Sequence, residues 1–237
     1  MNAPTPLQYL LFSDLAYDLT PSGSFNSIAA AFSFSNLPSS VTASLDGFTQ
    51  GPTTTSAAGL TAVTFVDNTP GTPDYEDVVI AYRGTVTLSD YLSDALLAVG
   101  KKPSQFDAAV KFAVQDESAY PSSQGYSYFV TGHSLGGAEA EDVAAVLGLG
   151  GDTFGAPGVS KILTAGGVLS NGANLTDYVI AGDLIGNYTA LSGLHVGTEV
   201  SLPSVPNTSG LFGQHQLDTY GQALFNDHLI SSNPLPI

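Results

Sequence analysis

The sequence contains no cysteine and no tryptophan, and only one methionine is present among its 237 residues. Without cysteine, the chain cannot form a disulfide bond, use a thiolate as a nucleophile or build a cysteine-based metal site. No apolar run approaches the roughly 18 residues of a membrane-spanning helix. The N-terminal stretch lacks the basic segment of a secretory signal, and polar residues interrupt its apolar positions. We therefore expect an amphipathic first helix over residues 5–18 and no transmembrane segment.

Positive charge is scarce as well. Five lysine and arginine residues stand against 21 aspartate and glutamate residues, which gives a formal net charge of −16 at pH 7. Such a surface repels nucleic acid and anionic membranes, so we expect neither as a partner, whereas a neutral or zwitterionic lipid surface is compatible with it. The richness in small polar residues and the low lysine content are typical of exported bacterial proteins. The composition therefore favours a secreted or extracellular protein over a cytoplasmic one.

Hydrophobic residues make up 43% of the chain and charged residues 11%, which is typical of a folded globular protein. The length is that of one domain, and we see no linker or internal repeat within residues 1–237. The predicted strands are 62–66, 78–82, 126–131, 152–155, 178–181 and 199–202. The predicted helices are 5–18, a helix from Ser104, 135–147 and 214–226, and residues 20–60 are expected to form connections. This alternation predicts an α/β fold with a mostly parallel sheet and helices on both faces.

Residues 132–137, Gly-His-Ser-Leu-Gly-Gly, carry the pattern G-x-S-x-G between a predicted strand and a predicted helix. A serine in such a tight turn has a strained backbone, and the neighbouring glycines let other parts of the chain pass close to it. The turn is expected to expose the Ser134 hydroxyl at the positive end of the following helix, where a developing negative charge is stabilised. A glycine-rich turn with only a structural role is the alternative, and the context favours a nucleophile.

A serine hydroxyl is a poor nucleophile at neutral pH and needs a base within hydrogen-bonding reach, most often a histidine. The chain has four histidines, His133, His195, His215 and His228. His133 adjoins the serine on the opposite side of the turn, so we expect it to be a packing residue. His215 is favoured because it lies in a loop at the start of a predicted helix, from which a side chain can reach the strand ends. His195, before a predicted strand, and His228, near the C-terminal tail, remain as alternatives.

The third member of such a group is a carboxylate that orients and stabilises the histidine. Asp183 closely follows the predicted strand 178–181, and active sites of α/β proteins assemble at the carboxyl ends of strands. Asp177 precedes that strand and Asp152 begins another, so both are expected at the opposite edge of the sheet. Asp183 is therefore the predicted acid, with a helix cap or turn residue as the alternative.

The oxyanion formed during acyl transfer needs two backbone N–H donors. The first is expected from Leu135, directly after the nucleophile, and the second from Thr85 in the loop after strand 78–82. Arg83, the only arginine of the chain, lies in the same loop. For Arg83 we expect a structural ion pair rather than substrate binding.

Six distinctive segments follow one another along the chain. They are 81–87 (Ala-Tyr-Arg-Gly-Thr-Val-Thr) with 90–92 (Asp-Tyr-Leu), the serine turn at 132–137, 153–157 (Thr-Phe-Gly-Ala-Pro), Asp183, 195–200 (His-Val-Gly-Thr-Glu-Val) and 215–220 (His-Gln-Leu-Asp-Thr-Tyr). Together they resemble the fungal-type (class three) lipase family over roughly residues 60–222 and the N-terminal helix. The resemblance implies an α/β-hydrolase fold and hydrolysis of carboxylic esters.

The resemblance also implies roles for single positions. These are Ser134 as nucleophile, Asp183 as acid, His215 as base, Thr85 and Leu135 as the oxyanion hole, and His195 as a histidine without a catalytic role. The sequence departs from the family pattern at residues 184–187 and at Gly158, which changes the expected walls of the substrate groove. Glu139 stands on the nucleophile helix where the family prefers an apolar residue.

Residues 86–92 fall where the family carries a short lid over the acyl groove. The apolar side chains expected to cover this groove or to face lipid are Val86, Leu88, Tyr91 and Leu92. A surface helix packed on the core is the alternative for this segment.

We therefore expect a serine carboxylic-ester hydrolase that cleaves acylglycerols or similar lipid esters at a neutral lipid–water interface, without a cofactor. A phospholipase A or a polyester hydrolase is the alternative within the same chemistry. A catalytically silent lipid-binding domain is the alternative of another class, and it is disfavoured because no triad position is substituted. Residues 67–77 are acidic but match no calcium-loop pattern, so no metal is expected.

Overall fold

The computed structural model of the chain describes residues 3–19, 39–68, 77–85, 102–167, 173–188 and 193–231. Within these residues, seven strands form one sheet whose spatial order follows the order in the sequence. The strands are β1 (Phe48–Thr55), β2 (Thr61–Asp67), β3 (Asp77–Tyr82), β4 (Ser127–His133), β5 (Gly150–Phe154), β6 (Leu175–Ile180) and β7 (Thr198–Leu202). All six predicted strands are therefore present, and β1 is an additional one.

The described residues also form six α-helices. They are α1 (Pro6–Leu15), α2 (Ser39–Thr42), α3 (Ser104–Glu117), α4 (Leu135–Leu147), α5 (Ser160–Ala165) and α6 (Leu217–Asn226). One buried apolar cluster joins α1 and α6 to one face of the sheet, and a second cluster joins α3 and α4 to the other face. Helices thus cover both faces, as the sequence predicts. In this part of the chain, no helix is both long enough and apolar enough to cross a membrane.

The direction of the strands determines where the loops that follow them meet. β1, β2 and β3 are antiparallel neighbours, whereas β3 to β7 run parallel. The register places Tyr82 of β3 beside Gly132 of β4, and His133 beside Phe154 of β5. The residues that follow these parallel strands therefore meet at one edge of the sheet, where ligand sites of α/β folds lie.

β1 corrects one prediction, because it lies within residues 20–60, which the sequence predicts to be connections. The strand contains Gly51 and Pro52, two residue types that are uncommon inside strands. Its register against β2 shifts between Gln50 and Thr53, on either side of these residues. An edge strand tolerates a proline because one side of it needs no partner, so the local composition conceals a strand that pairing with β2 stabilises.

Two strand starts differ from the prediction by more than one residue. β5 begins at Gly150 and β6 at Leu175, two and three residues before the predicted starts. Asp177 consequently lies inside β6 rather than in front of it, and Asp152 lies inside β5 rather than at its first position. The prediction misses these starts because glycines and polar residues interrupt the apolar pattern there.

Helix α1 shows why residues 5–18 contain so many apolar side chains. The helix begins after Thr5, whose side chain accepts a hydrogen bond from the Gln8 N–H, while the Gln8 side chain accepts one from the Thr5 N–H. Residues 9–15 are all buried. The ring of Phe12 contacts both Phe48 and Phe65, with centroid distances of 4.8 and 4.6 Å. The expectation of an amphipathic helix is therefore wrong, and Val41, Leu45 and Phe48 belong to the same buried cluster as α1.

Candidate active site

Ser134 lies between β4 and α4 in a backbone conformation that few residues other than glycine adopt, with φ 58° and ψ −128°. Two main-chain hydrogen bonds hold it there: the Ser134 N–H donates to the Phe154 carbonyl at 3.0 Å, and the Ala138 N–H donates to the Ser134 carbonyl at 3.2 Å. The residue is only 1% exposed, so the expectation of an exposed hydroxyl is wrong. The imidazole of His215 and the chain at Gly84 lie against it instead.

Close backbone packing explains the glycines of the serine turn. A Cβ atom at Gly136 would overlap the carbonyl group of Tyr82, and one at Gly132 would overlap the backbone of Gly136. The first turn of α4 therefore packs directly on the end of β3. This packing requires glycine at both positions.

The structure brings His215 between Ser134 and Asp183. Its Nε2 atom lies 2.9 Å from the Ser134 Oγ atom, and its Nδ1 atom lies 2.9 and 3.0 Å from the two Asp183 carboxylate oxygens. His215 ends a short 3₁₀ turn in front of α6, and Asp183 follows β6 through Gly182, which has a φ of 90°. The three residues predicted as nucleophile, base and acid are thus within hydrogen-bonding distance in the predicted order.

The Asp183 carboxylate is surrounded by donors. Besides His215, the Tyr220 hydroxyl donates to Oδ2 at 2.6 Å and the Ile185 N–H donates to Oδ1 at 2.8 Å. Burial alone would raise the pKa of Asp183, but the hydrogen bonds and the nearby His215 outweigh burial and hold the pKa below its usual value. Asp183 is therefore a stable anion facing the His215 Nδ1 atom.

Tyr220 is a residue of the site to which the sequence analysis assigns no role. It lies in α6, and its hydroxyl also accepts a hydrogen bond from the Ile180 N–H at 3.3 Å. A Cβ atom at Gly155 would come within 2.8 Å of both the Tyr220 hydroxyl and the Asp183 carboxylate, so this glycine leaves the space in which they meet. The sequence does show a tyrosine five positions after His215, but only the packing of α6 on β6 brings its hydroxyl to Asp183.

His133 packs against the ring of His215. The two rings are 4.7 Å apart, and His133 Nε2 donates to the His215 carbonyl oxygen at 2.7 Å. Its Nδ1 atom must then accept the proton of the Tyr17 hydroxyl, 2.9 Å away. Burial and the neighbouring His215 lower the pKa of His133 to about 3, so the ring is neutral. His133 thus packs beside the triad, and Tyr17 connects it to the chain just after α1.

The other candidate residues lie elsewhere. His195 forms a buried group with Asp177 of β6 and Glu141 of α4, in which its Nδ1 atom is 2.7 Å from Asp177 Oδ2 and 3.0 Å from Glu141 Oε1. His228 is exposed after α6. Asp152 is buried inside β5, and burial raises its pKa to about 7. None of the four alternative candidates, namely His195, His228, Asp152 and Asp177, hydrogen-bonds to Ser134 within the described part of the chain.

The two predicted oxyanion donors lie on segments that adjoin the serine. Leu135 is the first residue of α4, and Thr85 follows Gly84, at which a Cβ atom would lie 3.2 Å from that of Ser134. Arg83 forms no ion pair with another described residue, and its N–H donates to the Thr61 carbonyl at 2.9 Å. Glu139 is buried, and burial raises its pKa. The nearby charge of Arg83 acts in the opposite direction but has the smaller effect.

The predicted lid residues Val86, Leu88, Tyr91 and Leu92 lie outside the described residues. One group in the described ranges has the composition of a metal site, namely Glu141, Asp177 and His195. Its histidine Nδ1 atom is at hydrogen-bonding distance from one oxygen of each carboxylate.

Comparison with protein families gives one match, over residues 16–197, to the phospholipase-like family described as the Tle-like phospholipase domain. The match covers more than half of the chain. The chain belongs to this family. The matched range contains Ser134 and Asp183 and ends before His215. Comparison with characterised proteins by sequence gives no significant match.

Several solved lipase structures are similar to this member of the phospholipase-like family. M37 lipase is 14% identical with a TM-score of 0.64, covering 99% of this chain and 96% of that one. A propeptide complex of Rhizomucor miehei lipase is 17% identical with a TM-score of 0.52, covering 83% and 67%. Lipase II from Rhizopus niveus is 16% identical with a TM-score of 0.52, covering 87% and 80%. At these identities the likeness shows the fold alone, which is the α/β-hydrolase fold implied by the sequence.

Family and fold together confirm the sequence-based resemblance at the level of a lipase family of the α/β-hydrolase type. The protein is thus a hydrolase of lipid esters.

Proposed function

We propose that Ser134, His215 and Asp183 are the catalytic triad of this lipid-ester hydrolase. The observation that carries the proposal is the position of the His215 ring, whose two nitrogens lie 2.9 Å from the Ser134 hydroxyl and 2.9 Å from Asp183 Oδ2. The strained backbone of Ser134 supports a functional role, because such conformations cluster at active sites. The low pKa of Asp183 supports the role of an anion that stabilises a protonated His215.

In the proposed first step, the Ser134 Oγ atom attacks the carbonyl carbon of the ester while its proton moves to His215 Nε2. The carbonyl π electrons move to the oxygen, and the N–H groups of Leu135 and Thr85 donate to this oxyanion. Asp183 accepts the hydrogen bond from His215 Nδ1 and keeps the ring in the correct tautomer. In serine hydrolases, the loss of this alignment lowers kcat about 10⁴-fold.

In the second step, the tetrahedral intermediate collapses, the bond to the leaving alcohol breaks, and His215 gives its proton to that alcohol. The acyl group remains on Ser134. Water then enters, His215 removes its proton, and the same sequence releases the carboxylic acid and free Ser134. Every proton in this cycle moves through His215 Nε2, so the cycle requires no cofactor.

The proposed substrates are acyl esters of glycerol in a neutral or zwitterionic lipid phase. Acylglycerols are the first candidate, and the description of the family as phospholipase-like supports a phospholipase A as the second. The net charge of −16 supports neutral emulsions or zwitterionic vesicles over anionic ones. We also propose that residues 1–237 form one hydrolase domain that acts outside the cytoplasm.

The test measures fatty-acid release from a triglyceride emulsion, phosphatidylcholine vesicles and phosphatidylglycerol vesicles at equal lipid area. Ser134→Ala should abolish release and labelling by a fluorophosphonate probe, whereas Ser118→Ala, at an exposed serine, should change neither. Thermal stability of Ser134→Ala should stay near that of the wild type. Labelling that persists in Ser134→Ala would identify another serine as the nucleophile, and a wild type that binds lipid without releasing fatty acid would favour a lipid-binding domain.

A further inference from the structure

A second polar cluster lies beneath the proposed triad and takes no part in the mechanism above. It consists of Glu141, Asp177 and His195, whose side chains are at most 3% exposed. The three residues come from α4, from β6 and from the loop before β7. They therefore connect the helix that carries Ser134 to the strand that leads to Asp183.

Each of the three side chains makes at least two close polar contacts. His195 Nδ1 faces Asp177 Oδ2 at 2.7 Å and Glu141 Oε1 at 3.0 Å, and His195 Nε2 faces the Gly186 carbonyl at 3.1 Å. The other Glu141 oxygen accepts from the Val196 N–H at 3.0 Å. The other Asp177 oxygen accepts from the Thr153 hydroxyl at 2.6 Å.

These partners determine the protonation of His195. A carbonyl oxygen only accepts hydrogen bonds, so Nε2 must carry a proton, and the two carboxylates require a proton on Nδ1 as well. Burial alone would lower the pKa of His195, but the hydrogen bonds to Asp177 and Glu141 outweigh burial and raise it to about 11. Glu199 of β7 is a further carboxylate near Asp177. The buried ring is thus an imidazolium.

The Nε2 contact reaches the loop that holds the proposed acid. Gly186 is one residue after Ile185, whose N–H donates to Asp183 Oδ1 at 2.8 Å. A Cβ atom at Gly186 would lie 3.1 Å from Asp183 Oδ2, so this loop packs directly on the carboxylate. A shift of Gly186 would therefore move the donor of Asp183 and the carboxylate itself.

We propose that His195 is a positioning residue. Its doubly protonated ring links the Gly186 carbonyl to the two buried carboxylates and so keeps Asp183 aligned with His215. This inference rests on the proposed function of the triad. Its physical basis is that a displacement of about 1 Å in a catalytic group can lower a rate about 100-fold. The 2.7 Å distance between His195 Nδ1 and Asp177 Oδ2 is that of a charge-assisted hydrogen bond.

Two amide substitutions test the roles of the two ring nitrogens separately. Glutamine can place its NH₂ group near the position of Nε2 and still donate to the Gly186 carbonyl, whereas asparagine can place its NH₂ group near Nδ1 and loses that donor. Both remove the buried positive charge, so their losses of thermal stability should be similar. We expect His195→Asn to lower kcat about 10- to 100-fold with KM changed less than about 2-fold, and His195→Gln to lower kcat only about 3-fold.

The matched control is His228→Gln, at an exposed histidine outside the cluster, which should keep the kcat of the wild type. Equal kcat values for His195→Gln and His195→Asn at similar melting temperatures would overturn the proposal, as would a loss of activity that appears only as KM. A wild type that is inactive, or labelled by the fluorophosphonate at another serine, would instead refute the proposed triad. The two failures are therefore distinguishable.

A measurement on the wild type covers the case in which both variants fail to fold. Nitrogen-15 NMR of the histidine rings at pH 7 to 9 should show both nitrogens of His195 protonated, with N–H protons that exchange slowly because they are buried. A neutral His195 ring would overturn the proposal. Stoichiometric metal in the purified protein, with a nitrogen shift typical of metal coordination at Nδ1, would also overturn it and would make the cluster a metal site.

Discussion

His215 is the residue on which the proposed chemistry depends most, because it acts as both base and acid in each half-reaction. We expect His215→Ala to lower kcat at least about 10⁴-fold, while leaving binding of the lipid surface unchanged. The measurement is kcat on a p-nitrophenyl ester series from acetate to palmitate, with His228→Ala as the control. Near-normal kcat in His215→Ala, together with an inactive His195→Ala, would refute the assignment of the base.

Tyr220 allows a finer test, since only its hydroxyl touches the acid. Tyr220→Phe removes the 2.6 Å hydrogen bond to Asp183, which should lower the free energy of unfolding by about 1 to 2 kcal/mol and kcat several-fold. The folded-state pKa of Asp183 is lowered, so its stabilisation is present above its unfolded-state pKa and is lost as pH falls through the folded-state value. Without the tyrosine hydroxyl this pKa rises, so the midpoint of acid unfolding should move to higher pH.

The control for Tyr220 is Tyr120→Phe, because Tyr120 lies before β4 at the far end of the sheet from Ser134. The midpoint of acid unfolding of this variant should match that of the wild type. An unchanged midpoint in Tyr220→Phe would show that the tyrosine supports the fold without tuning Asp183.

At the scale of elements, the junction of β3 with the first turn of α4 determines the shape of the serine turn. Gly136→Ala places a methyl group on the Tyr82 carbonyl, so the helix must move away from the sheet. We expect a loss of about 2 to 3 kcal/mol in the free energy of unfolding and a fall in the melting temperature of about 5 °C or more. Gly166→Ala is the matched control, since its nearest neighbours are 3.4 Å away and its φ is −79°. Similar melting temperatures for the two variants would contradict the packing argument.

The lid remains a proposal that rests on the sequence of residues 86–92. Four apolar side chains and a single charge, Asp90, make exposure of this segment to water unfavourable, and an oil surface would favour an open state. We expect higher specific activity on emulsified triglyceride above its solubility limit than on dissolved monomer. The double substitution Leu88→Ser with Leu92→Ser should reduce this rise. A smooth saturation curve through the solubility limit, identical in both proteins, would show that the segment is no lid.

At the scale of the whole molecule, acidic groups far outnumber the cations that could pair with them. Burial raises the pKa of Asp116 to about 6 and of Asp152 to about 7. A carboxyl group with a raised folded-state pKa stabilises the fold fully below its unfolded-state pKa near 4, and this contribution is lost as pH rises through the folded-state value. We therefore expect the free energy of unfolding to fall by at least about 2 kcal/mol between pH 5 and pH 8.

Thermal unfolding at constant ionic strength measures this trend. High salt screens the general repulsion of the charge of −16 but acts little on buried groups, so the fall with pH should persist in 0.5 M NaCl, where the Debye length is only about 4 Å. Asp152→Asn removes one of the buried titrating groups and should make the dependence shallower, whereas Asp218→Asn, at an exposed position, should not. A melting temperature that rises from pH 5 to pH 8 would contradict the argument.

The sequence by itself determined the class of fold and the order of the site residues. Apolar runs of strand length alternate with helical runs, and this local pattern is sufficient to predict a parallel sheet covered on both faces. The turn around Ser134 is also readable, because the glycines needed for close packing and the flanking strand and helix are contiguous in the chain. The positions of Asp183 and His215 follow from where strand and helix ends fall, and the structure brings both to Ser134.

The tertiary structure alone decided the features that depend on residues far apart in the chain. β1 exists because β2 pairs with it, although its own glycine and proline are unfavourable for a strand. Tyr220 reaches Asp183 only through the packing of α6, and His195 meets Glu141 and Asp177 because three separate elements bury them together. Burial also raises the pKa of Asp116 and Asp152, because the loss of hydration that favours their neutral form depends on the surrounding fold and on no local pattern.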